Sequence, residues 1–520
     1  MSSVNSINNG KAVVKEEVSS PTAVDGAPPT MFLLPVTQET NAHHHQALLD
    51  SSGRHDRLSN GQGHPWSSVH DLGTSSLPPS LPAPAAATAM VSRPVGFRAV
   101  MQHCVAALDA GDIVAVNADL QAMSYLALAS ANGEPTQRAA FAFAEALGRR
   151  ALQTLPGLSW GLQYQLAEQV APAHADAARR CFDVLCPFLR VAALAANQTI
   201  VTALEGEKHV HVVDLGGGAA ASPDQWLDLL RLFAARPEGA PVLHLSVVSE
   251  QEALLSRTAG LLSQEAVRLH VPFIFNPVRS RIDQFSAPDI TALVVHSGEA
   301  LVITSTLQLH RLIADEVSIG LPAGAGDHHG SKGKRKKADQ RTAGPHLITR
   351  ADALLRDLCD LSPKLVVLTE QEADHNGASL WDRASNAFDY YAALFSDLEA
   401  GGGAPRDSAD RAAVERLLLR EEIMDIVARE GASRRERHES MKSWARWMGA
   451  AGFKPAPVVT YDESADARLA ALQLAADGTL RYWVAKKDAY AIVYSRMTPV
   501  LAVTAWRPAR KVTRRLVVDH

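Results

Sequence analysis

The chain has 520 residues, 47% of them hydrophobic and 21% charged, with a net charge of −5. That is apolar material for one large domain or two ordinary ones, and the mildly negative balance excludes a protein that is basic throughout, so any nucleic-acid contact must come from a local patch. Four cysteines, Cys104, Cys181, Cys186 and Cys359, with no Cys-x-x-Cys pair, exclude a disulfide-stapled scaffold and fit a reducing interior.

Met1 to Glu17 has no apolar run, so a secretory leader is not expected, and no stretch approaches the roughly 20 apolar residues of a membrane span. Residues 1–96 are expected to be a disordered tail. They mix Ser, Asn, Gly, Pro and His, with Ser-Leu-Pro-Pro-Ser-Leu-Pro-Ala-Pro at 76–84, too little apolar surface to offset chain entropy. The run His43, His44, His45 is read as composition, not as a metal site.

The character changes at Phe97. Phe97, Val100, Met101, Cys104, Val105 and Leu108 recur at helical spacing, and Gly111 supplies a stop. Further helices are predicted at about 113–130, 136–153, 161–170 and 174–186. In the last, Ala178, Cys181, Phe182 and Leu185 form one stripe, ended by Pro187.

From 209 the pattern switches to short apolar runs between helices. Strands are predicted at His209–Val213, Val242–Val248, Val271–Phe275, Leu301–Thr304 and Leu365–Thr369, with helices at about 224–235 and 251–268. Continuous apolar strands alternating with helices predict a parallel sheet covered on both faces. Three closely spaced runs, Leu480–Val484, Tyr490–Tyr494 and Val500–Ala505, predict an antiparallel end. The fold class is therefore α/β, a Rossmann-like, mostly parallel sheet of methyltransferase type with an N-terminal helical cap.

The run Asp214, Leu215, Gly216, Gly217, Gly218 ahead of a helix resembles the first motif of S-adenosylmethionine-dependent methyltransferases, with Glu250 placed to hold a ribose. The chain lacks a further glycine where that class has one, and no catalytic set accompanies the turn. It is read as a tight packing turn, with His211 a hydrogen-bonded core histidine. No catalytic residue, cofactor or metal is expected.

Several blocks occur in one order. They are Val210-His211-Val212-Val213-Asp214, then Gln225-Trp226, Arg236-Pro237-Glu238-Gly239 and Pro272 to Val278. Ser362-Pro363-Lys364 leads into Thr369 to Gly377 and on to Tyr390 to Phe395. Arg434-Arg435-Glu436-Arg437-His438-Glu439 precedes Trp444 and Ala451-Gly452-Phe453, and Thr504-Ala505-Trp506-Arg507 comes last. Together they resemble the GRAS family of plant regulators, closest to its scarecrow-like 3 subgroup. The first block stands for VHIID, with Val at both Ile positions, and the last for SAW, with Thr for Ser.

The resemblance implies a GRAS domain over 97–507. Its parts are a helical cap with the first leucine-rich region (97–205), a VHIID region (206–252), a second leucine-rich region (253–315), a basic loop (316–350), a PFYRE region (351–430) and a SAW region (431–507), with a basic tail at 508–520. It implies a nuclear transcriptional regulator that is not an enzyme. Such a regulator acts through transcription factors and other GRAS proteins such as DELLA repressors, in gibberellin signalling and root development. The marking residues would be Val210, His211, Val212, Val213, Asp214, Arg434, Arg437, His438, Glu439, Ala505 and Trp506.

Five of the six residues 332–337 are cationic: Lys332, Lys334, Arg335, Lys336 and Lys337. They are candidates for nuclear import or for phosphate contact, together with Arg507, Arg510, Lys511, Arg514 and Arg515. Arg434, Arg435, Arg437 and His438 are predicted to open a helix carrying Met441, Trp444 and Met448, with Arg437 and Glu439 in ion pairs and phosphate contact as the alternative. Trp506 is predicted core, and Leu227, Leu229 and Leu230 plain helix-on-sheet packing. Direct DNA reading and methyl transfer remain the rival functions, and a dimer stays open.

Overall fold

The first helix, Phe97–Ala110, buries Val100, Met101, Cys104 and Val105 on one side, each such side chain contributing about 1.5–3 kcal/mol. Gly111 stops it at φ 72°, a left-handed position that suits glycine. Asp112 then opens Ile113–Leu126 by accepting from the Ala115 N–H at 3.0 Å. The computed structural model describes residues 96–127, 133–155, 172–217, 223–285, 287–293, 295–319, 346–400, 408–459, 481–487 and 489–509. The tail 1–95, the helix predicted at 161–170, the loop 320–345 and the end 510–520 lie outside the described residues.

The central sheet contains strands β1 (His209–Gly217), β2 (Val242–Val248), β3 (Phe273–Val278), β4 (Ala300–Thr306) and β7 (Leu365–Gln371), all parallel. Strand β11 (Thr498–Pro508) runs antiparallel beside β7, followed outward by β10 (Tyr490–Ser495) and β9 (Tyr482–Lys487). The order β3-β2-β1-β4-β7-β11-β10-β9 is the predicted methyltransferase-type topology with its antiparallel end. Two small additions were not predicted. Strand β8 (Phe453–Pro455) pairs with the end of β11, and β5 (Glu316–Ile319) pairs antiparallel with β6 (His346–Thr349).

Two cores flank the sheet. Alternation along β1 sends Val210 and Val212 to one, with Trp226, Leu229 and Leu230, and Val213 and Leu215 to the other, with Trp444, Met448 and Trp506. The N-terminal helices do not make a cap alone. Pro135–Gln153 packs against Leu380–Ala400 and Arg420–Ala428, while the unpredicted helix Phe188–Ala203 lies on β7, β10 and β11. No single helix among the described residues is long and apolar enough to cross a membrane.

One predicted element is corrected. Arg434 to Ser440 is not helical, and the helix starts only at Met441 and runs to Ala450. The Asp425 carboxylate accepts from the backbone N–H groups of Arg435 and Glu436 at 2.6 and 2.7 Å, which holds this stretch extended.

Candidate functional site

Strand β1 continues through Gly216 and Gly217 instead of turning at once into a helix. Gly216 has φ 84°, and a Cβ there would lie 2.6 Å from the Val248 carbonyl oxygen at the end of β2. The glycine is thus required by the neighbouring strand. Asp214, buried beneath it, accepts from the Gly216 N–H at 3.0 Å, and burial raises its carboxyl to about 6. Glu250, the candidate ribose partner, is exposed and lies 3.6 Å from the Arg281 guanidinium. A neutral nucleoside would therefore have to displace an ion pair.

His211 is fully buried. Its Nε2 shares a hydrogen bond with Ser246 Oγ at 2.8 Å, and its Nδ1 lies 3.2 Å from Glu299. The ring stacks at 3.8 Å on His244, its register partner on β2, and His244 also reaches Glu299 at 3.3 Å. Burial and the second ring push His211 down to about 4, so it is a neutral core residue as predicted.

The block 434–439 interlocks with 369–377. Arg434 donates to the His375 carbonyl and to Asn376 Oδ1, both at 3.1 Å, and Arg437 donates to the same Asn376 oxygen at 3.2 Å. The Asn376 amide donates to Glu439 at 2.7 Å. In place of the predicted ion pairs, Arg437 and Glu439 meet on one asparagine, and Arg437 also donates to the Gly431 and Arg434 carbonyls at 2.7 and 3.1 Å. Arg434 is buried and its guanidinium is lowered to about 10 by that burial and by Arg437. It is not a free phosphate ligand.

Behind the clasp sits a hub of ionisable groups. His310 bonds Glu370 through Nδ1 at 2.7 Å and Glu436 through Nε2 at 2.8 Å. His438 lies 3.2 Å from Glu436, and its Nδ1 meets His375 Nδ1 at 2.8 Å. Burial alone would lower His310, but its two carboxylates hold it up at about 9, whereas burial and neighbouring rings lower His375 and His438. The atoms of His310, Glu436 and His438 are close enough to share one ion, as are those of His211, His244 and Glu299. In each group one carboxylate lies within 3.3 Å of both histidines, Glu299 of His211 and His244 and Glu436 of His310 and His438.

Two cavities open at the carboxyl ends of the strands. One, of about 120 Å³, is walled by Phe182, Phe188, Leu394 and Leu419, with Glu422 inside, raised to about 7 by burial. The other, of about 320 Å³, lies over the ends of β1, β2 and β3, and six arginines stand in its lining. At the far end, Trp506 is buried and donates to Thr504 Oγ1 at 2.8 Å, and Ala505 has no exposed surface. The candidates Lys332, Lys334, Arg335, Lys336 and Lys337, and Arg510, Lys511, Arg514 and Arg515, lie outside the described residues, and Arg507 is exposed on β11.

The model of the GRAS domain family matches residues 97–507. The chain belongs to the GRAS domain family. It is 35% identical to Scarecrow-like protein 3 of Arabidopsis thaliana, over 78% of this chain and 87% of that protein. It is 29% identical to Scarecrow-like transcription factor PAT1 of the same plant, over 70% of this chain and 67% of that one. DELLA proteins are further relatives. The crystal structure of SCL7 in Oryza sativa superposes with a TM-score of 0.63 at 29% identity, covering 80% of this chain and all of that one.

The GRAS marks therefore sit in packed places. The VHIID strand is the middle of the parallel sheet, the SAW strand joins the parallel part to the antiparallel end, and Arg434 to Glu439 locks two segments together. Sequence reading gave no role to His244, Glu299, His310 or Asp425, because the residues they hold lie ten or more positions away along the chain. Glu370, His375 and Asn376 stood within the block Thr369 to Gly377, with no role assigned.

Proposed function

We propose that this GRAS protein is a plant nuclear transcriptional regulator that acts mainly through protein partners, other GRAS proteins such as DELLA repressors among them, in gibberellin signalling and root development. Family membership across the whole of 97–507 carries the proposal, with a relative whose name is that of a transcription factor. The local geometry supports a non-enzymatic role. The glycine that a methyltransferase would keep for its cofactor is filled by Val248, and Glu250 is engaged by Arg281. The apolar cavity walled by Phe182, Phe188, Leu394 and Leu419 suits an apolar side chain of a partner helix.

The test is fluorescence anisotropy of the full chain with duplex DNA selected from a random pool, across a salt series. Weak binding that salt abolishes, whatever the sequence, is the expected result. Sequence-discriminating binding at physiological salt would instead make the protein a direct DNA reader. Saturating S-adenosylmethionine is expected to leave the melting temperature unchanged, and a rise would revive the methyltransferase.

A further inference from the structure

The cleft over the ends of β1, β2 and β3 gathers cations from separate parts of the chain. Arg179 and Arg180 come from helix Pro172–Leu185, Arg257 from helix Glu252–Leu269, Arg281 from the turn after β3, Arg311 from beyond β4 and Arg435 from the extended stretch. Against these six guanidinium groups the lining offers, among the described residues, two carboxylates, Glu250 and Asp283. Arg281, Arg311 and Arg435 are engaged by carboxylates. Arg281 grips Asp283 at 2.8 and 2.9 Å, Arg435 holds Asp315 at 2.6 Å, and Arg311 lies 3.5 Å from Glu436. Arg180 and Arg257 are exposed and have no carboxylate partner among the described residues.

Like charges crowded around one concavity repel, and an anion of matching size removes that cost. The guanidinium fork is built for phosphate oxygens, which it holds with two parallel, charge-assisted bonds. Ser249 and Ser280 add hydroxyl groups to the rim. Among the described residues the lining has no aromatic face on which a base could stack, its apolar members being Leu215, Val248, Leu254 and Ile282. The ribose position is taken by the Glu250–Arg281 pair. A nucleotide is therefore a poor fit, and a compact anion with several phosphates spread around it a good one.

We propose that this cleft binds a polyphosphorylated small molecule, held chiefly by Arg180 and Arg257 with Arg281 and Arg311 beside them. Arg179 and Arg180 line both this cleft and the apolar cavity offered to a protein partner, but binding of a phosphate probe is read with no partner present, so the proposal survives or fails independently of the regulatory function.

Isothermal titration calorimetry of the full chain, at about 0.15 M salt, would use myo-inositol hexakisphosphate and inorganic pyrophosphate as probes. One saturable site for the hexakisphosphate is expected, with pyrophosphate weaker. The double variant R180E/R257E should lose about tenfold or more in affinity, one order of magnitude for two charge-assisted contacts. The neutral pair R180Q/R257Q should lose affinity in the same direction, and because these side chains are exposed both variants should melt like the parent. A charge-matched control away from the cleft, K442E/K454E, should bind as the parent does. Failure of the hexakisphosphate to saturate, or equal losses in R180E/R257E and K442E/K454E, would reduce the cleft to basic surface. A short DNA duplex that binds through Arg180 and Arg257 while the hexakisphosphate does not would place the phosphate on a nucleic-acid backbone and overturn the small-molecule proposal.

Discussion

At the scale of single residues, Gly216 and His310 make opposite kinds of demand. Gly216 is needed for what it lacks. With φ 84° and the Val248 oxygen 2.6 Å from any added Cβ, Gly216→Ala should cost about 1–3 kcal/mol of stability, measurable as a lower urea midpoint. An unchanged midpoint would mean that β2 gives way, and the glycine would again be open to a ligand. His310 is needed for its charge. Its folded value of about 9 lies above the ordinary 6.5, so its contribution to stability is whole below 6.5 and is lost as pH rises through about 9. His375 and His438 are lowered and act in the other window, losing stability as pH falls below 6.5, because the unfolded chain then binds protons the folded one refuses. The urea midpoint of the parent should therefore decline from about pH 6.5 to 9, and that slope should flatten in His310→Gln. A variant that keeps the full slope would acquit His310.

At the scale of elements, the clasp between 434–439 and 369–377 decides how a family mark should behave when mutated. Arg434→Ala strips donors from the His375 carbonyl and from Asn376 inside a buried setting, a loss of about 2–4 kcal/mol by thermal or urea unfolding. Asn376→Ala and Glu439→Ala should be non-additive in a double-mutant cycle, since the amide of one serves the carboxylate of the other. Additive losses would separate the two residues energetically. The same elements show what a sequence window can carry. The strands were legible because both their faces are buried, which leaves unbroken apolar runs such as Leu365–Leu368. Helix Phe188–Ala203 was missed because it is buried nearly all round, with Phe188, Val191, Ala192, Leu194, Ala195 and Ala196 leaving no polar face to mark a period. Arg434 to Ser440 was misread as helix because the spacing of Met441, Trp444 and Met448 was extended backward, while the carboxylate that holds the stretch open, Asp425, lies ten residues before Arg435. The cleft arginines were invisible as a set because topology, not spacing, assembles them.

At the scale of the whole molecule, the basic run 332–337 raises the question of whether import and folding can be separated. Strands β5 and β6 pair antiparallel from Glu316 with Thr349 to Ile319 with His346, so the two ends of the intervening segment are already held side by side. A chain whose loop ends are pinned loses little when the loop is shortened, since closure entropy changes slowly with length. Replacing residues 322–343 with a short Gly-Ser linker should therefore leave the melting temperature within about 2 °C of the parent, a change below 1 kcal/mol for a domain of this size. If the run is the import signal, the same variant fused to a fluorescent protein should spread through the cytoplasm of plant cells, and restoring Lys332, Lys334, Arg335, Lys336 and Lys337 alone in the linker should return it to the nucleus. A shortened chain that still accumulates in the nucleus would move the signal elsewhere, with the C-terminal Arg510, Lys511, Arg514 and Arg515 next to be tested. A shortened chain that melts early would instead make the loop part of the fold, so temperature and location together separate the two roles.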